Sequence, residues 1–220
     1  MAFLIRRRDR QLAGLNPGLR LFYWKHDYAI VSETQYKYVA SIRAKVLQTG
    51  LQLYKHKFDW TGVGNASATP LSDLIDTAVI YSDPTGPGEV CGITFKNSFR
   101  EGQIIDFSYQ IDFHDPNGKA KPFINHNTEV PLDFLALRVR FPIGWPGLKY
   151  RRQSFASSVT DTAQPEDVEL SPNALGFKKA FWDMPRPRLG HKYQILWAKV
   201  GGDIPSTEIP PNASRSSSVG

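Results

Sequence analysis

The chain has 220 residues, with 27 basic and 21 acidic side chains, a formal charge of +6 and a single cysteine. One cysteine excludes a disulfide framework, no Cys/His spacing matches a zinc motif, and no run of 18 apolar residues could form a membrane-spanning helix. With 41% hydrophobic and 22% charged residues the chain can bury a large core, which excludes wholesale disorder.

In chain order, Met1-Ala2-Phe3-Leu4-Ile5 runs into Arg6-Arg7-Arg8, the reverse of a secretory leader, so a cytoplasmic protein is expected. Residues 3–15 offer at most one or two amphipathic turns before Asn16-Pro17-Gly18 stops them. Residues 19–25 and 28–32 then read as two strands. From Tyr36 to Val46, Tyr36, Tyr38, Ala40, Ile42, Ala44 and Val46 share one face, the period of a half-buried strand. Further strands are expected over 51–58, 74–81 and 90–95, with the polar stretch 62–70 left as a loop. Phe107, Tyr109, Ile111 and Phe113 alternate with Asp106, Ser108, Gln110 and Asp112, ahead of a turn at Pro116-Asn117-Gly118. Leu135, Leu137, Val139 and Phe141 repeat the pattern, as do Tyr193, Ile195 and Trp197. Segments 122–130, 148–155, 168–170 and 177–182 complete the set, and 160–166 reads as a second polar loop. Many short strands separated by Gly, Pro, Asn and Asp predict an all-β antiparallel sandwich, immunoglobulin-like or jelly-roll-like, with little helix. The expected organisation is a basic extension over 1–18, the sandwich over 19–200, and a disordered Pro/Ser-rich tail over 201–220.

Charge is segregated along the chain. Residues 1–57 carry 11 basic and 3 acidic side chains, residues 58–136 carry 4 and 11, and residues 137–160 carry 5 and none. Blocks of opposite sign in a sandwich are expected to pair across strands.

No catalytic constellation stands out. Asp106 and Asp112 share a strand face but lie roughly 20 Å apart at about 3.3 Å per residue, too far for a glycosidase pair. Asp112 and His114, with Ser108 nearby, are parallel neighbours on a strand rather than a hydrogen-bonded triad. The five histidines (His26, His56, His114, His126 and His191) show no metal-ligand spacing, so ligands would have to converge from distant strands. Gly86-Pro87-Gly88-Glu89-Val90-Cys91-Gly92 lacks the last glycine of a dinucleotide loop and leads into a strand. Cys91, between apolar neighbours, is expected to be a buried, inert thiol.

Two basic clusters are the sharper features. Arg6, Arg7, Arg8 and Arg10 could neutralise phosphates as an N-terminal arm. Arg138, Arg140, Arg151 and Arg152, with Tyr150, interleave cations and an aromatic ring, and Trp145 sits on a Gly/Pro loop suited to partner contact. The five tryptophans could alternatively line a sugar-binding surface, with core packing as the plainer role.

Phe95–Gln103 running into Asp106-Phe107-Ser108-Tyr109, and Arg188–Trp197, resemble the uncharacterised β-sandwich accessory domains of bacterial signalling and conflict proteins. The resemblance spans about residues 36–200 and implies a ligand- or protein-binding module; it implies no catalytic residue. The expected function is therefore a non-enzymatic interaction module with no cofactor and with a protein as its partner. A nucleic-acid-associated or capsid-like β-protein using the basic arm, and a carbohydrate-active or carbohydrate-binding sandwich, remain as alternatives.

Overall fold

A computed structural model of the protein describes residues 15–58, 60–83, 88–143, 145, 148–156, 166–170, 178–199 and 202–204. The arginine cluster of residues 6–10, the expected N-terminal turns up to residue 14, nearly all of the 160–166 loop and most of the C-terminal stretch lie outside the described residues.

The described chain is all-β. Its strands are β1 (Leu19–Ile30), β2 (Gln35–Val46), β3 (Leu51–Phe58), β4 (Asn65–Pro70), β5 (Ile75–Ser82), β6 (Glu89–Phe99), β7 (Ile104–His114), β8 (Phe123–Asn127), β9 (Phe134–Phe141), β10 (Leu148–Ala156), β11 (Glu166–Leu170), β12 (Lys178–Pro185) and β13 (His191–Lys199). They form a six-stranded sheet in the order β12-β9-β1-β2-β7-β4, a four-stranded sheet β11-β10-β13-β8, and a three-stranded sheet β3-β6-β5. All pairings are antiparallel except β1 with β9, which run parallel from Tyr23/Phe134 to Ala29/Arg140.

The core lies on one face of the six-stranded sheet. Alternation places Tyr38, Ala40, Ile42, Ala44 and Val46 of β2, and Ile105, Phe107, Tyr109, Ile111 and Phe113 of β7, on that face, all buried. Both smaller sheets cover it. Tyr54 of β3 and Phe95 of β6 each meet Phe107 edge-on at 5.1 Å, while Trp197 of β13 packs 5.9 Å from Tyr28 and 5.8 Å from Phe141. The second layer of the sandwich is thus two half-sheets, with β3 ending one and β8 ending the other.

Two segments depart from the sequence reading. The stretches 19–25 and 28–32 belong to one strand, β1, because a register irregularity between Leu21 and Tyr23 resets the phase. Leu19 and Leu21 point inward before it, and Trp24, His26, Tyr28 and Ile30 after it. Without that shift, Tyr23, Lys25 and Asp27 would face the core. The polar stretch 62–70 contains β4, an edge strand on β7 whose half-buried face carries Ala66, Ala68 and Pro70. Small side chains give too weak an alternation for the period to be read.

The first basic block pairs with the acidic one across strands, while Arg138 and Arg140 of the second meet acids outside residues 58–136. Lys37 and Arg43 of β2 face Asp112 and Asp106 of β7, both at 3.8 Å. Arg138 meets Asp183 of β12 at 2.7 Å, and Arg140 meets Asp27 of β1 at 2.9 Å. These pairs are half-exposed, so each contributes on the order of 0–1 kcal/mol and mainly fixes register.

Candidate functional site

Trp24, turned inward by the phase reset in β1, lies beneath the split in the second layer. Its ring is 5.2 Å from His56 of β3 on one side and 4.8 Å from His126 of β8 on the other, and it stacks on His26 at 5.0 Å. A cavity of about 570 Å³ opens here. Its floor is Trp24, His26, Tyr38, His56 and His126, all buried. Its walls include Tyr28, Phe58, Trp60, Phe113 and Phe123, and Lys55, Lys57, Lys121, Asp83 and Glu129 stand at the rim. This volume falls within the range of small-molecule sites.

A hydrogen-bond chain runs through the floor. The Tyr38 hydroxyl is 2.8 Å from His26 Nδ1, and His26 Nε2 is 3.0 Å from His126 Nδ1. Separately, the Tyr109 hydroxyl is 2.7 Å from His56 Nδ1. Burial, reinforced by the mutual repulsion of the rings, holds His26 well below the ordinary imidazole range. Burial likewise lowers His56 and His126 to about 3. Burial pushes the Tyr38 and Tyr109 hydroxyls upward, so both stay protonated. The floor is therefore three neutral imidazoles and the Tyr38 hydroxyl, with His56 held by Tyr109, which lies outside the lining. Among the described residues, no group of three or more His, Cys, Asp or Glu side chains is arranged to hold a metal ion.

The rim is tied down locally. The Asn16 side chain donates to the Lys55 carbonyl at 2.8 Å and accepts from the Lys55 amide at 2.7 Å, replacing a neighbouring strand at the open edge of β3. Asp115 is fully buried; against the upward pull of that burial, backbone amides, including those of Ala120 and Val63, hold its carboxyl below the usual range. Trp60 stacks on Phe113 at 4.3 Å and forms part of the wall.

The residues singled out from sequence are not gathered at this cavity. Arg138 and Arg140 are engaged by Asp183 and Asp27. Arg151 and Arg152 are half-buried on β10, in register with Asp167 and Glu166 of β11. Tyr150 is buried in the core, so its ring is not offered to a partner. Trp145, expected on an open loop, is half-buried: it packs on Phe141 at 6.5 Å, carries the Lys199 ammonium 4.7 Å above its ring, and accepts from Lys178 through its carbonyl. Asp112 lies on the outward face of β7, bonded to Gln110 and paired with Lys37, and neither it nor His114 lines the cavity. Arg6, Arg7, Arg8 and Arg10 lie outside the described residues. No helix among the described residues is long and apolar enough to cross a membrane.

The site is built from residues whose sequence signal is absent. His26, His56 and His126 stand 30 and 70 residues apart on three strands. Only the split between β3 and β8 brings them together. The one available cue was that each sits at an inward position of a strand, where a polar ring demands a partner.

No protein-family model matches the chain, and no curated protein matches it in sequence. Among solved structures, a proposed protease from Parabacteroides distasonis is similar at 10% identity and a TM-score of 0.49, over 83% of this chain and 40% of that one. An M1 zinc metallopeptidase from Deinococcus radiodurans is similar at 11% identity and a TM-score of 0.43, over 81% of this chain and 42% of that one. The chain spans about two fifths of the length of these solved chains, and neither likeness transfers an activity to it.

Proposed function

We propose that the chain is a non-enzymatic binding module, of the accessory kind its sequence resembles, whose ligand occupies the cavity between β3 and β8. The observation that carries this reading is the cavity itself: about 570 Å³, walled by aromatic rings and floored by neutral, hydrogen-bonded histidines. Aromatic walls give a ligand apolar area to bury, and a few oriented polar atoms select it. The floor lacks a nucleophile paired with a charged base, and lowered imidazoles are poor bases at neutral pH. Binding without turnover is what such a floor supports.

A thermal-shift screen of small planar compounds tests the proposal, with Val130→Trp as the control. Val130 lines the cavity and is half-buried, so the larger ring fills ligand space. A ligand at 100 times its dissociation constant stabilises by about 2.7 kcal/mol, which for a chain of this size raises Tm by roughly 5–10 °C. The expected result is such a shift in the wild type, none in Val130→Trp, and ligand recovered unchanged. Failure of every compound, an equal shift in both proteins, or turnover abolished by one polar-to-Ala change would overturn it.

A further inference from the structure

The floor of the cavity holds more hydrogen-bond donors than the protein itself uses. Tyr38 and Tyr109 are buried, protonated hydroxyls, and each has a histidine Nδ1 as its hydrogen-bond partner. We take Tyr38 to donate to His26 Nδ1 and Tyr109 to donate to His56 Nδ1, the ring nitrogens 2.8 and 2.7 Å from the two hydroxyls. In a neutral imidazole, accepting at one nitrogen puts the proton on the other. His26 Nε2–H therefore donates to His126 Nδ1 at 3.0 Å, and His126 in turn carries its proton on Nε2. The same logic puts the His56 proton on Nε2. Both terminal Nε2–H groups belong to residues that line the cavity. The Trp60 indole N–H, also on a cavity-lining residue, is buried with no partner. An unpaired buried donor costs about 1–3 kcal/mol, which an acceptor on a ligand would offset.

We infer that the cavity takes an uncharged planar molecule whose edge carries carbonyl-type acceptors, such as an amide or lactam ring, read by the Nε2–H groups of His56 and His126. This rests on the cavity being the binding site, as proposed above. Aromatic walls fit a planar ring on its faces, and the donors fit its acceptor edge. A cation would meet donors only at the floor. An anion would be desolvated beside the neutral rings of the floor, and the three lysines, offset by two carboxylates, stand at the rim rather than at the floor.

The test uses the full chain and three matched probes, benzamide, benzoate and toluene, at pH 7.5, together with imidazole nitrogen NMR. In the free protein the nitrogen shifts are expected to show His56 and His126 protonated at Nε2. Benzamide is expected to bind at least 10-fold more tightly than toluene or benzoate and to move both Nε2 resonances. His126→Phe should lose that preference; where it fails to fold, the tautomer measurement on the wild type decides alone. Protonation at Nδ1, or benzoate or toluene matching benzamide, overturns the inference. If toluene matches benzamide and Val130→Trp abolishes both, the cavity remains the binding site and only the acceptor rule falls. If no probe binds the wild type even at millimolar concentration, the rule is overturned together with the reading on which it rests.

Discussion

Lowering the pH should unfold this protein well before its carboxylates titrate. His26, His56 and His126 are buried and neutral, the latter two lowered to about 3 and His26 lowered as well, all first by burial. In the unfolded chain each ring takes up a proton near pH 6.5. Between that value and about 3 the unfolded state binds more protons, so stability falls as pH falls through this window. At pH 5.0, 1.5 pH units below the unfolded value, His56 and His126 each cost about 2 kcal/mol at 1.36 kcal/mol per unit. His56 and His126 together cost about 4 kcal/mol, and lowered His26 adds in the same direction, against the 5–15 kcal/mol that holds a typical domain folded. The burial shifts of Tyr38, Tyr54, Tyr109 and Cys91, which surround the rings, keep these groups uncharged over the range. Urea unfolding at pH 7.5, 6.5, 5.5 and 5.0 measures the effect. The slope of unfolding free energy against pH should approach three protons, and His56→Gln should remove one of them. A change below about 1 kcal/mol between pH 7 and 5 would refute the reasoning, because the rings would then titrate equally in both states.

Three further outcomes follow from local geometry. Cys91, whose thiol burial pushes up to about 12, should not react with a disulfide reagent at pH 8 until urea unfolds the chain, when one thiol appears. Gly64→Ala should destabilise by about 3 kcal/mol or more in thermal or urea unfolding, since a Cβ there collides with the His114 backbone carbonyl and Gly64 sits at φ 156°. Asn16→Ala should cost about 1–2 kcal/mol by removing both bonds to Lys55, and hydrogen exchange should show the Lys55 amide losing protection while β6 keeps its own.

Much of the fold was legible in the sequence because burial follows a period of two. The inward faces of β2, β7 and β9 are those the alternation assigns, and opposed charges on β2 and β7 do face one another. What escaped has physical causes. The phase reset between Leu21 and Tyr23 hides the continuity of β1, and the alanines of β4 leave no apolar contrast. The parallel pairing of β1 with β9 joins segments more than a hundred residues apart, beyond any local signal. In β13, Gln194 and Leu196 are buried along with Tyr193, Ile195 and Trp197, so alternation understates how enclosed that strand is. The site was the least legible part. A histidine at an inward strand position reads as a satisfied core residue until the strands opposite it are known, and here they carry two more.

The basic residues changed meaning for the same reason. Arg138 and Arg140 look like a nucleic-acid stripe in sequence, yet their acidic partners arrive from β12 and β1. Pairing at 2.7–2.9 Å leaves little charge to release counterions from a phosphate backbone. Among the described residues, Arg138 and Arg140 are thus engaged by the protein's own carboxylates.

Whether the split between β3 and β8 is the binding site is tested most directly by a crystal structure of the full chain soaked with benzamide. The account predicts the ring seated over Trp24, with its carbonyl oxygen within about 3 Å of His56 or His126 Nε2. Benzamide held elsewhere on the molecule, with the cavity unchanged, would contradict it.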